Sequence, residues 1–252
     1  MARTPRLDMA GFHHVVNRGV EKRTVFINEE DYKYFLDLIC AGCLEYNINV
    51  HSYCLMSNHY HILIETTDDN LSKFMRSLNA KYASYFNRKY KRVGHLWQGR
   101  FKSWYVSDVA YLYTLIKYIE FNPLEAKVVK ELRDYEFSSY NSFLGRGKPL
   151  RCLENSLIFN NYKTVQERKE FFEREYDKDD LKIIAKTSNS IVAPLNKKEL
   201  SLKKLYKLLE NFETKIQRNK KIKDAIILGY SQSQIAKVLG LSQPAITSIL
   251  KK

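Results

Sequence analysis

The spacing of apolar residues changes period several times along this chain, and each change marks a new element. Residues 12–17, FHHVVN, are β-branched and run into Arg18-Gly19, which predicts a short strand closed by a turn. From about Glu29 to Tyr46, the residues Tyr32, Phe35, Leu36, Ile39, Cys43 and Leu44 recur at three-to-four spacing, the period of an amphipathic helix. Two β-rich runs follow, NVHSYCLM and HYHILIE, joined at Ser57-Asn58 like a hairpin. Helical period returns over residues 71–90 with Leu71, Phe74, Met75, Leu78, Tyr82, Tyr85 and Phe86. A strand is predicted over about Gly99 to Val106, then a helix from near Ser107 carrying Leu112, Leu115, Ile116 and Ile119. Strand, helix, strand, strand, helix, strand is the order of a split βαβ unit, so the fold class is α+β: an antiparallel sheet with helices packed on one face.

The character changes after Pro149. Residues 163–186 are charged and mostly helical in pattern, TSNSIVAPLN (187–196) has the turn-formers of a linker, and the chain from about Lys197 is Lys-rich and helical. Three regions are therefore expected: a core over 1–145, a helical connector and linker over 146–196, and an all-α segment over 197–252. Within the last, SQSQIAKVLGLSQPAITSILKK places Ala236, Gly240 and Ile246 at relative positions 1, 5 and 11. A helix-turn-helix needs a small residue where its helices cross, a glycine for the positive φ of the turn, and a branched apolar residue where the second helix docks. Ser231 and Ser242 suit N-caps, and Pro244 falls in the first turn of the second helix. That helix would turn Gln243, Thr247, Ser248 and Lys251 toward a duplex major groove. A helical hairpin used for dimerisation is the alternative.

Composition narrows the partners. The 252 residues carry a formal charge of +14, which favours polyanions, nucleic acid first. No run of about 18 apolar residues and no secretory signal is apparent, so no membrane partner is expected and the protein should be soluble and intracellular. Cys40, Cys43, Cys54 and Cys152 are too few and too unevenly placed for a disulfide framework, so reduced thiols are expected, with the Cys40/Cys43 pair packed inside its helix. From Asn70 to Ser107 there is no Asp or Glu, while Lys73, Arg76, Lys81, Arg88, Lys89, Lys91, Arg92, Arg100 and Lys102 fall there, interleaved with Tyr82, Tyr85, Tyr90, Trp97, Phe101 and Trp104. Cations along a backbone and aromatic faces under bases suit single strands. The DNA contacts expected at the core are Arg18, Lys81, Arg88, Lys91, Arg92, Trp97, Arg100 and Lys102. Some of the aromatic residues at helical spacing would instead be core.

The sharpest chemistry sits at His59 and His61. On a strand, residues two apart share a face, so both imidazoles address one point and together can hold a metal. The alternative is one core histidine and one solvated. Tyr118 lies on the helix beginning near Ser107, with Asn122 at i+4 on the same face. A phenol is a poor nucleophile at neutral pH unless a cation polarises the phosphate it attacks.

The strings FHHVVNRG, YCLMSNHYHILIET, NRKYKRVGHLWQGRFKS, KYIEFNPLEAKVV and YEFSSY occur in this order and at compatible spacing. On these blocks, residues 1 to about 145 resemble the REP-associated tyrosine transposases, within the HUH single-strand nuclease superfamily and the IS200-like transposase family. The resemblance implies a ferredoxin-like sheet, a divalent cation bound by His59 and His61, and Tyr118 as the nucleophile that becomes joined to the 5′ phosphate of nicked single-stranded DNA, hairpin-flanked in such systems. It singles out Tyr118 over Tyr111, which shares the same helix face. It points to Asn122 as a third ligand, although Asn before Pro123 equally marks an N-cap with Pro at N1 of a following helix. It implies Mg2+ or Mn2+, whereas two imidazoles alone would favour zinc. Such an enzyme would be cytoplasmic, held at the nucleoid through DNA, and a monomer or a homodimer. The rival function is a DNA-binding regulator whose HUH core is inactive.

Overall fold

The computed structural model describes residues 8–106, 109–146, 150–174, 202–228, 230 and 232–250. The first strand, β1 (Gly11–Arg18), is followed by α1 (Glu29–Tyr46), β2 (Ile48–Met56), β3 (His59–Thr66), α2 (Leu71–Lys89), β4 (Lys102–Val106) and α3 (Val109–Glu125). The sheet order is β2-β3-β1-β4 with every neighbouring pair antiparallel, which is the ferredoxin-like arrangement expected from the element order. Helix α1 begins at a capping box: Asn28 accepts from the Asp31 backbone while the Asp31 carboxylate accepts from the Asn28 backbone. It ends at Asn47, in the left-handed region at φ 50°.

Alternation along the strands gives the sheet two different faces. On one, Val15, Tyr60, Ile62 and Ile64 are buried, with Phe35 of α1 and Tyr82 of α2 packed against them and Trp97 edge-on to Tyr60. Helices on one face describe α1 and α2 only. Helix α3 covers the other face, where Tyr118 meets the rings of His14 and His61. A helix that follows β4 is free to cross to the uncovered side, and the apolar positions Leu112, Leu115, Ile116 and Ile119 are buried there.

The connector holds α3 in place. Short helices α4 (Tyr140–Phe143), α5 (Leu157–Asn161) and α6 (Val165–Glu173) follow. Tyr113 of α3 packs edge-on to Tyr162 and Phe171, and the Lys117 ammonium lies 4.7 Å from the Phe171 ring centre while donating to the Arg174 carbonyl. The expectation of four reduced cysteines is overturned: Cys40 of α1 is bonded to Cys152, 112 residues on, and ties the connector to the α1 side of the core. Their Cα atoms are 5.0 Å apart, a proximity created by tertiary folding that spacing along the chain does not reveal. Cys43 and Cys54 are free thiols, and burial raises the pKa of both. The proposed linker 187–196 lies outside the described residues.

The C-terminal helices are α7 (Leu202–Leu209), α8 (Lys215–Ile227), α9 (Gln232–Leu239) and α10 (Gln243–Ile249). They share a second core of Leu205, Ile222, Ile226, Ile235 and Ile246. Between α9 and α10, Gly240 takes φ +64°, Ala236 and Ile246 are buried, and Ser242 caps α10 by accepting from the Ala245 backbone. Ser231 and Lys251 lie outside the described residues. Among those described, no helix is long and apolar enough to cross a membrane.

Candidate active site

The face under α3 is assembled row by row from strand register. Arg18 of β1 pairs with His59 of β3, Val16 with His61 and Lys102, and His14 with Leu63 and Trp104. Directly paired residues share a face, so Arg18, His59, His61, Lys102, His14 and Trp104 all point the same way. The His59 and His61 ring centres are 5.2 Å apart with planes inclined at 77°. One metal ion can bridge imidazole centroids up to about 6 Å apart, from bonds of about 2 Å on each side.

Hydrogen bonds to the other ring nitrogens prepare this pair. His59 Nδ1 lies 2.6 Å from Asn58 Oδ1. The Asn58 amide is itself oriented, its Nδ2 donating to the Lys22 carbonyl, so Oδ1 faces the ring and Nδ1 is the donor. That leaves the His59 Nε2 lone pair for a ligand. His61 Nδ1 lies 3.0 Å from His14 Nε2, with ring centres 5.2 Å apart and planes inclined at 21°. Burial lowers the pKa of His14 to about 3 and of His59 to about 4, the latter helped by the Arg18 charge, and holds His61 well below the usual range. Three neutral imidazoles at physiological pH are the protonation state in which a histidine binds metal. The donor set therefore fits a divalent cation. Among the described residues no group of three or more His, Cys, Asp or Glu completes such a site, so the remaining positions fall to an amide, water or phosphate oxygens.

Tyr118 is half-buried, its ring 5.7 Å from His61 and 6.0 Å from His14, both edge-on. Burial raises its pKa, and Glu125 adds to the shift. The helix is pinned next to it by Glu120, fully buried, whose Oε1 accepts from Ser52 Oγ of β2 at 2.6 Å and from Ser139 Oγ. Burial pushes this carboxyl up to about 7 despite those hydrogen bonds. Asn122 is not a helix N-cap: α3 continues through Asn122 and Pro123 to Glu125, and the Asn122 amide donates to the Tyr118 carbonyl at 2.8 Å.

The expected DNA contacts divide. Arg18 is exposed and donates through Nε and Nη2 to Gln98 Oε1, while the Gln98 backbone donates to the Arg18 carbonyl. This stitches the loop between α2 and β4 to the His59 end of the sheet, with Arg100 and Lys102 exposed beyond it. Arg88 and Lys91 are exposed near the end of α2, and Arg92 is half-buried over the Phe86 ring. Two residues are misplaced by the sequence reading. Trp97 is a core residue, 9 % exposed, whose indole donates to the Asn79 carbonyl, so no base can stack on it. Lys81 pairs with Glu45 of α1, on the side of the sheet away from the histidines. In α10, Gln243 and Ser248 are exposed, but Thr247 is half-buried and donates to Gln232 Oε1 and to the Gln243 carbonyl. His14, Asn58 and Glu120 were missed as site residues. The double histidine of FHHVVN was the available signal, since strand alternation puts one of the two on the face of the HxH pair.

The chain is similar to known proteins in sequence and in fold. Residues 11–122 match the family model described as IS200-like transposase. A Haemophilus influenzae protein carrying the provisional name REP-associated tyrosine transposase is 29 % identical over 131 residues, 47 % of this chain and 70 % of that one. A REP-associated tyrosine transposase solved bound to a REP hairpin superposes with a TM-score of 0.51 at 19 % identity, over 58 % of this chain and 87 % of that one. The last comparison bears on the fold.

Proposed function

The chain carries over residues 11–122 a transposase domain of the IS200-like family, and on that premise we propose that it nicks and rejoins single-stranded, hairpin-flanked DNA through a covalent Tyr118 intermediate. The observation that carries the proposal is the position of Tyr118 across from His61 on the face that His59 shares. Tyr118 Oη would form a bond to the scissile phosphorus as the bond to the 3′ oxygen breaks. The phenolic proton passes to solvent, the 3′ oxygen takes up a proton, and the 5′ phosphate stays on the tyrosine. A 3′ hydroxyl can then reverse the attack and join strands, which hydrolysis by water would not allow.

His59 and His61 would hold Mg2+ or Mn2+, with Asn122 as a third donor through its amide oxygen. Bound there, the cation would act as a Lewis acid on the phosphate. Arg18, Arg100 and Lys102 would grip the strand beside it, with Arg88 and Lys91 extending the track. Both halves of the site come from one copy of the chain, which favours a tyrosine acting in cis. The C-terminal segment would bind duplex DNA as a helix-turn-helix through Gln243 and Ser248.

The test is incubation of the whole protein with labelled single-stranded hairpins and Mn2+, followed by a search for a denaturant-stable adduct. Tyr118→Phe should remove the adduct, and its survival would mean another nucleophile. His59→Ala and His61→Ala should each abolish cleavage and leave DNA binding in place. Failure of every hairpin and metal to yield an adduct would favour a regulator with an inactive core.

A further inference from the structure

We infer that His14 is a positioning residue that sets the tautomer of His61 and so presents its Nε2 outward, an inference that rests on the metal-site reading above. The ground is the bond between His14 Nε2 and His61 Nδ1, 3.0 Å long, between rings only 6 % and 7 % exposed. Two neutral imidazoles joined in this way share one proton between the facing nitrogens, and it can sit on either. If His14 Nε2 donates, His61 carries its own proton on Nε2 and has no lone pair to offer a metal. If His61 Nδ1 donates, His14 accepts with its proton on Nδ1, and His61 Nε2 is free.

The rest of the site selects the second arrangement. His59 is set by an oriented amide oxygen that can only accept, so its Nε2 is the free nitrogen. For the two ligands to act on one ion, His61 must match it, and its Nδ1 is held by His14 Nε2 at 3.0 Å. The His14 ring centre lies 5.2 Å from those of both His61 and Trp104, and the nitrogen that it turns to His61 is Nε2. The two ligands thus differ in kind. His59 rests on a permanent acceptor, while His61 rests on a group that can either accept or donate.

The experiment reads the tautomer without metal and the affinity with it. In metal-free protein at pH 7, nitrogen-15 spectra of labelled histidine should show His61 protonated on Nδ1. In His14→Phe, which keeps an aromatic ring against Trp104 but has no acceptor, His61 should shift toward the Nε2-protonated form, and Mn2+ affinity should fall by about 10–100-fold. His14→Gln, which restores an accepting oxygen, should recover part of that loss. Circular dichroism and thermal melting establish that each variant is folded. His61 protonated on Nε2 in the metal-free wild type, or a folded His14→Phe with an unchanged tautomer, overturns the inference. A wild type that shows the expected tautomer but binds no Mn2+ sinks the metal-site reading instead, because the tautomer is measured independently.

Discussion

The two faces of the sheet are built from the same strands by opposite means. On the α1/α2 face, Val15, Tyr60, Ile62 and Ile64 meet Phe35, Tyr82 and Trp97, and shape does the work. On the α3 face, His14, His59, His61, Ser52 and Glu120 are each answered by a specific partner. Because β1 and β3 alternate between the two, the packed face holds the polar face in register. A rigid apolar back holds three imidazoles and a carboxyl at fixed separations.

The largest expected effect falls on the packed face. Phe35→Ala should cost about 3–5 kcal/mol of stability, read from urea unfolding, whereas His59→Ala should cost no more than about 1 kcal/mol while abolishing cleavage. Equal losses in the two variants would erase the distinction between the faces. Acid should act on both faces, since burial also lowers the pKa of His13, beside Ile64 on the packed face, to about 4, and on the polar face two groups separate the effect. Below pH 6.5 the unfolded chain binds protons that folded His14 refuses until about pH 3, so its stabilising contribution is lost as pH falls through that window, at about 1.4 kcal/mol per pH unit. Glu120 runs the other way. Folded, it keeps its proton up to about pH 7 against 4.5 in a free side chain, so its contribution is lost as pH rises between those values. Unfolding midpoints measured from pH 7.5 to 4 should therefore fall less steeply in His14→Phe and more steeply, between pH 6.5 and 4.5, in Glu120→Gln.

The same contrast explains what could be read from the sequence. That His59 and His61 share a face was legible because period two is a property of one strand, and that Tyr118 and Asn122 share one because period 3.6 is a property of one helix. The choice of Tyr118 over Tyr111, on the same helix face, came from the family resemblance. The element order likewise yielded the ferredoxin-like sheet. What stayed hidden depends on which strand lies beside which, and in what register. His14 meets His61 across a β1–β3 pairing 47 residues apart, Glu120 meets Ser52 across 68, and Cys40 meets Cys152 across 112. Trp97 misled because aromatic residues in a basic loop read as a stacking surface. The backbone of that loop returns to pair Trp97 with Gly19, which drives the indole into the core. Asn122 misled in part because Asn-Pro is locally a cap, and only packing of α3 reveals that the helix continues through it.

Glu120 tests the polar face at a smaller scale. Replacing it with Ala takes the acceptor from the buried hydroxyl of Ser52 and leaves Ser139 only the Tyr53 backbone, at a cost of about 1–3 kcal/mol, whereas Glu120→Gln keeps an accepting oxygen for both and should cost less. The informative measurement pairs unfolding with the rate of adduct formation. Glu120→Ala should slow adduct formation beyond what its unfolded fraction explains, because the clamp lies two residues from Tyr118. A rate that tracks the folded fraction alone would make Glu120 a packing residue no different from those on the far face.

The smallest effect separates the faces by charge alone. Lys102 and Lys81 are both exposed lysines of the acid-free basic segment, but Lys102 stands in the row of His61 while Lys81 pairs with Glu45 on the opposite side. Each phosphate neutralised by a cation adds about 0.7 to the slope of log affinity against log salt for single strands. Lys102→Ala should lower that slope by about this amount, measured by fluorescence anisotropy across a salt series, and Lys81→Ala should leave it unchanged. Since neither substitution disturbs a core, any difference reports where the strand runs. If Lys81→Ala changes the slope as much as Lys102→Ala, the strand crosses the α1/α2 side as well. The chemistry would still belong to the α3 face, but the grip would not.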